Sequence, residues 1–291
     1  MTGTAAPAIN AGGRLLSLAE PVVMGILNLT PDSFYAASRS QTERAVAERA
    51  QAIVAEGGAI IDVGAYSTRP GAAAVSEEEE SERLRRGLAV VRRELPDAVL
   101  SVDTFRPDVA RMAVEEFGAA IINDVSGGNP GGSFGGTGLH DVTACAAAEP
   151  CAPPMFSMAA RLRVPYVLMS SCPDLRSVML DIESKAQLLH SLGVGDVIAD
   201  PGFGFGKTLE ANYAIMSGLG AMRALGLPLL VGVSRKSMIT RLLGCETPAA
   251  LNGTTALNMA ALMGGAAILR VHDVRQAAEC VKIAAALKGN K

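Results

Sequence analysis

Short apolar runs alternate with amphipathic stretches from one end of the chain to the other. The runs at Val22–Leu27, Ala59–Val63, Val99–Val102, Ala119–Ile122, Pro165–Met169, Val197–Ala199, Pro228–Val231 and Ala266–Leu269 predict strands. Between them, apolar positions at helical spacing predict helices over Arg44–Glu56, Glu77–Glu94, Val109–Phe117, Leu180–Leu192, Leu209–Leu225, Met238–Leu243, Leu251–Met263 and Val274–Leu287. Gly57-Gly58 supplies the stop of the first helix. Ser76 and four acids open the second, which suits a cap and the positive end of a helix dipole. Those acids read as a solvated first turn and not as a metal site.

Strands alternating with helices over this length indicate a parallel sheet. The pattern fits a (β/α)₈ TIM barrel first and a doubly wound open sheet second. No dinucleotide-type glycine fingerprint follows the first strand, which weakens the open sheet. A single barrel domain over 21–288 is therefore expected, preceded by an N-terminal extension over 1–20. The stretch Asn129–Pro154 is rich in Gly, Ala, Pro and Cys and predicts a long, mobile surface insertion after the fourth strand.

The chain has 291 residues, 49% of them apolar and 19% charged, so a substantial core is available and disorder is not expected. A net charge of −3 argues against a nucleic-acid surface, and any anionic ligand must meet a local basic site. No signal peptide and no apolar run long enough to span a membrane is visible. The five cysteines, Cys145, Cys151, Cys172, Cys245 and Cys280, form no zinc-type pair and read as thiols of a reducing cytoplasm.

Chemistry in such a barrel sits at the C-terminal strand ends. In Ile198–Lys207 an acid at a strand end is followed by Pro and three Gly, which lets backbone approach a ligand closely. This is not a phosphate P-loop, because Pro201 stands where that motif needs Gly. Asp103, Asn123, Asp200 and Lys236 come from four strand ends and converge on one mouth. Two carboxylates and a carboxamide suit a planar heterocycle with several N–H donors, and the lysine can bond a ring carbonyl. Asn28, Arg270 and His272 read as a separate cluster that grips an anion, with the Asn oxygen able to help hold Mg²⁺. Ser237 is placed at a helix start, where N–H groups favour a carboxylate. Taken singly, Asp32, Asp124 and Asp273 read equally as caps, Arg235 as a surface charge and His272 as a structural residue. His140 and His190 read as incidental.

The residues now carry a resemblance. Gly25–Phe34, Ser67–Gly71, Ser101–Thr104, Ile121–Gly128, Asp200–Lys207, Gly232–Ser237 and Arg270–Val274 resemble, in order, seven motifs of the dihydropteroate synthases. The likeness is collinear from about residue 21 to 288. It implies a (β/α)₈ barrel and a folate-pathway transferase, blocked by sulfonamides. Such an enzyme joins 6-hydroxymethyl-7,8-dihydropterin diphosphate to p-aminobenzoate, giving 7,8-dihydropteroate and diphosphate. By that likeness Asp103, Asn123, Asp200 and Lys236 hold the pterin, with Phe205 beside it. Asn28, Arg270 and His272 bind the diphosphate, Asn28 through Mg²⁺. Thr68, Arg69, Pro70, Phe205 and Ser237 shape the p-aminobenzoate site. Barrels of this family often pair, so a homodimer is expected.

The sequence departs from the family pattern twice. Tyr35–Arg39 stands where an acid and two glycines are usual, and Leu168–Pro173 replaces a His-Met-(Arg or Gln)-Gly stretch. Two other readings share the pocket: a catalytically silent pterin-binding paralogue, and a pterin-dependent methyltransferase, which would need no diphosphate grip.

Overall fold

A computed structural model of the chain describes residues 7–29, 39–66, 75–128 and 152–289. Eight strands form the expected parallel barrel: β3 (Val22–Asn28), β4 (Ile60–Gly64), β5 (Val99–Asp103), β6 (Ile121–Asp124), β7 (Tyr166–Met169), β8 (Val197–Asp200), β9 (Leu230–Val231) and β10 (Ile268–Val271). They lie in the order β8-β7-β6-β5-β4-β3-β10-β9. The seam between β8 and β9 is thin. Pro228 has no N–H to offer, and an isolated bridge between Ala199 and Leu229 with one Ala199 N–H to Pro228 O bond of 2.8 Å nearly closes the ring.

The helices are α1 (Arg39–Ala55), α2 (Glu77–Glu94), α3 (Pro107–Phe117), α4 (Pro154–Leu162), α5 (Leu175–Ser191), α6 (Leu209–Ser217), α7 (Ser237–Leu243), α8 (Leu251–Gly264) and α9 (Val274–Leu287). Ser76 Oγ caps α2 by accepting from Glu79 N, and Asp174 and Thr208 cap α5 and α6 in the same way. The helix expected over Leu209–Leu225 is interrupted: α6 stops at Ser217 and a 3₁₀ turn runs over Leu219–Leu225. Gly218 sits at the break, where a Cβ would come within 2.6 Å of Leu175 Cδ2. The insertion expected over Asn129–Pro154 ends earlier, because Pro154 is already the first residue of α4. Its residues 129–151, with Cys145, Cys151 and His140, lie outside the described residues.

Near the N-terminus, β1 (Ala8–Ala11) and β2 (Arg14–Ser17) make an antiparallel hairpin around Gly12 and Gly13, both at positive φ. Its Ile9 and Ala11, with Leu18, pack into a cluster with Met24, Ile60, Ile121, Val167, Ile198, Leu230 and Ile268. These belong to seven different barrel strands, so the N-terminal end of the barrel is filled by an apolar floor. The second, larger cluster holds Val63, Val102, Ile122, Leu168 and Leu269 with the helices outside. Side chains alternate between the two, as strand geometry requires.

Candidate active site

The same alternation sets the chemistry. Two residues beyond the floor, on the same inward face, come Asp62 after Ile60, Asn123 after Ile121, Asp200 after Ile198 and Arg270 after Ile268. A register row one step higher runs Asn28, Gly64, Asp103 across β3, β4 and β5, and it meets Asn123 on β6. Gly64 keeps that row open, since a Cβ there would lie 3.2 Å from Asp103 Cβ.

Asp62 and Asn123 are almost fully buried. Asn123 Nδ2 donates to Asp62 Oδ2 at 3.1 Å, and Arg270 Nε donates to the same oxygen at 2.7 Å. Arg270 Nη2 donates to Asp103 Oδ2. Arg270 is thus ion-paired with the acids of the heterocycle pocket. Burial tends to lower its affinity for its proton, but Asp62 and Asp103 outweigh that and hold it firmly charged. Asp103 is pushed up to about 7, chiefly by burial, with Arg270 opposing and Asp62 adding to the rise.

On the far side, β8 ends at Asp200, whose Oδ1 accepts from Gly202 N at 2.7 Å. Burial raises its pKa, and Lys236 pulls it back. Lys236 is held down to about 8 by burial, against the pull of Asp200. Its Nζ donates to Phe203 O and lies 4.5 Å from the centroid of the Phe205 ring. The turn between them needs its glycines. Gly202, Gly204 and Gly206 all have φ between 62° and 80°. A Cβ on Gly202 would lie 2.2 Å from Ser170 O. Lys207 fastens the turn from below by donating to Ser170 O and Gly202 O at 3.0 Å and to Phe205 O at 3.3 Å.

His272 follows β10. Ser234 Oγ and His272 Nδ1 are 3.1 Å apart, and Arg49 Nη2 donates to His272 O at 2.7 Å. Asn28, exposed at the end of β3, shares the mouth. Ser237 is the exposed first residue of α7. Among the described residues Asp124 caps no helix: it accepts from Ser126 N, Gly128 N and the Tyr166 hydroxyl, and so shapes the turn after β6. Arg235 is no surface charge, because it pairs with Asp273 at the end of the neighbouring strand. Thr68, Arg69, Pro70, Asp32 and Tyr35 lie outside the described residues.

Four contributors were not singled out from sequence. Asp62 falls within the Ala59–Val63 run, where period two from Ile60 puts it inward. Arg106 donates to Glu80, to Ser76 O at 3.1 Å and to Val75 O at 2.6 Å, and its guanidinium lies 5.4 Å from the Tyr66 ring centroid. Glu80, fully buried, also accepts from Thr104 Oγ1 at 2.7 Å. Lys207 was visible in its motif but not as the peg of the turn.

The sequence and the fold are matched among known proteins. The family of pterin binding enzymes matches residues 24–272. The dihydropteroate synthase of Escherichia coli (strain K12) is 36% identical over 279 residues, 94% of each chain. The structure of Xanthomonas albilineans dihydropteroate synthase with 4-aminobenzoic acid superposes with a TM-score of 0.82 at 34% identity, covering 97% of this chain and 98% of that one. The same enzyme in complex with 7,8-dihydropteroate gives a TM-score of 0.78 at 33% identity, covering 97% of this chain and 99% of that one. Fold, inward acids and full-length similarity agree: the chain belongs to the pterin-binding enzyme family, among the dihydropteroate synthases.

Proposed function

We propose that the protein condenses 6-hydroxymethyl-7,8-dihydropterin diphosphate with p-aminobenzoate, releasing diphosphate and forming 7,8-dihydropteroate. The observation that carries this reading is the wall of Asp103, Asn123, Asp200 and Lys236, drawn from separate strands onto one mouth above an apolar floor. The pterin ring is assigned to that wall. Its N–H groups meet carboxylate and carboxamide oxygens, and Lys236 meets the ring carbonyl. Phe205, beside the ammonium, offers an apolar face to the ring or the aniline. As the C–O bond to diphosphate breaks, positive charge develops on the methylene, and the nearby carboxylates stabilise it. The aniline nitrogen forms the new C–N bond and loses its proton to solvent. Arg270 and His272 receive the growing negative charge of the leaving group, favouring the transition state over the ground state. For Arg270 this requires sharing its fork between Asp103 and the incoming anion.

Mg²⁺ suits the donor set at Asn28, an exposed carboxamide at a strand end. This cation commonly takes one or two protein oxygens and completes its shell with substrate phosphates and water. When bound, it neutralises charge on the departing diphosphate. Thr68, Arg69, Pro70 and Ser237 are assigned to the carboxylate end of p-aminobenzoate.

A homodimer is supported by α7, α8 and α9, which leave Leu242, Leu243, Met263, Ile283 and Leu287 between 49% and 65% exposed. Sedimentation at micromolar concentration checks it, a dimer being expected. A cytoplasmic location fits the chemistry of the substrates, and no helix among the described residues is long and apolar enough to cross a membrane. The deciding experiment is diphosphate release with both substrates and Mg²⁺, repeated with each omitted. Release that depends on all three supports the reading. Pterin binding without turnover would overturn it.

A further inference from the structure

Asn123 turns its Nδ2 toward Asp62 Oδ2, 3.1 Å away, and both residues are buried. The two ends of a carboxamide have nearly the same shape, so the partner decides which way the group lies. An ionised carboxylate only accepts. Arg270 Nε donates to the same oxygen at 2.7 Å, so that oxygen already serves as an acceptor. Asp62 therefore admits only the NH₂ end of Asn123. The amide oxygen is left over, and Asn123 Oδ1 is buried with no hydrogen-bond partner among the described residues. A buried acceptor without a donor is a standing cost, relieved only when a donor arrives.

We propose that Asp62 is a specificity-determining positioning residue: by fixing the polarity of the Asn123 amide, it makes this part of the pocket accept hydrogen bonds, and so selects a heterocycle edge that carries N–H. The inference rests on the pterin reading above. Asp62 touches no substrate in this account. It acts through Asn123, and the same oxygen keeps the Arg270 fork aligned toward Asp103. A neutral partner at this place would let the amide turn over, and the pocket would then present a donor to a donor.

The test uses the intact protein. Asp62→Asn keeps the volume of the side chain but gives it an NH₂ of its own, so Asn123 is free to rotate. Calorimetry with 6-hydroxymethyl-7,8-dihydropterin diphosphate is expected to show affinity weakened by at least about tenfold, while KM for p-aminobenzoate stays within about twofold. In an Asn123→Ala background the same substitution is expected to lose most of its effect, because its route is gone. Undiminished pterin affinity in Asp62→Asn overturns the proposal. So does an equal rise in both KM values, which marks a merely structural role.

Should Asp62→Asn fail to fold, side-chain amide NMR of the unsubstituted protein answers the question, with Asn123→Ala giving the assignment. The Asn123 NH₂ resonances are expected to stay hydrogen-bonded and nearly unmoved when the pterin binds. Protection appearing only with ligand means the NH₂ end faces the substrate, and the proposal fails. Absence of pterin binding by the unsubstituted protein, in contrast, overturns the functional reading on which the proposal rests.

Discussion

Arg235 grips Asp273 with both arms of its guanidinium, Nε to Oδ2 at 2.9 Å and Nη2 to Oδ1 at 2.8 Å. Arg235 precedes Lys236 and Asp273 follows His272, so one bidentate pair ties together the two strand ends that carry those groups. Arg235 adopts φ 55°, and its N–H is bonded to Thr254 Oγ1 at 3.1 Å. The strained backbone is held by these bonds. Arg235→Ala is expected to lower stability by roughly 1–2 kcal/mol and to cut kcat/KM more than tenfold through misplacement of Lys236. Urea unfolding alongside steady-state kinetics separates the two effects. Normal kinetics would mean the pair does not position the lysine.

Lys236→Ala is expected to abolish turnover while leaving the fold intact. The ammonium lies between Asp200, the Phe203 carbonyl and the Phe205 face, and few other groups depend on it. Near-normal activity would remove Lys236 from the pterin pocket.

The pH dependence follows from two shifted groups. Asp103 ionises as pH rises through about 7, and Lys236 loses its proton above about 8. If both must be charged, kcat/KM is bell-shaped with its maximum between those values. Stability obeys a separate sign. The folded pKa of Asp103 lies above its ordinary 3.8. Its contribution is therefore complete below about pH 4 and is lost as pH rises through about 7. Tm of the ligand-free protein should show that fall, and Asp103→Asn should flatten it.

Much of this was legible in the sequence, for a physical reason. Each strand ends in a polar group because the barrel places substrate at its C-terminal face, and Asp103, Asn123 and Asp200 follow directly. What stayed hidden was pairing across the barrel. The Arg270–Asp62 bond joins residues 208 positions apart, so no local spacing signals it. The strand-end positions grouped Arg270 with Asn28 and His272 and gave no sign of its pairing with Asp62. The hairpin around Gly12-Gly13 escaped notice because each of its strands is only four residues long. Helix α4 was hidden behind Pro153-Pro154, which reads as a breaker although Pro suits the first helical position.

Gly202→Ala is expected to cost roughly 2–4 kcal/mol, since the new Cβ would meet the Ser170 carbonyl at a left-handed position. Because the Gly202 N–H also bonds Asp200, pterin affinity should fall with it. Chemical denaturation and calorimetry measure the two effects.

Arg106→Ala leaves the Glu80 carboxylate buried without its ion partner, and a loss of roughly 2–4 kcal/mol is expected. Adding Glu80→Gln should recover part of it. A larger loss in the double variant would show that Arg106 acts through its bonds to Val75 and Ser76 instead.

Among the described residues, the apolar floor closes the barrel at its N-terminal end. Nothing seated against Asp200 can leave by the opposite end, where Ile9 and Leu18 stand in the way. Traffic is therefore last in, first out. On the proposed assignment of the substrates, a heterocycle arrives before the aniline that covers it, and an aniline that arrives early blocks the mouth. At high p-aminobenzoate the initial rate should therefore fall, a consequence of the closed floor that steady-state kinetics would show.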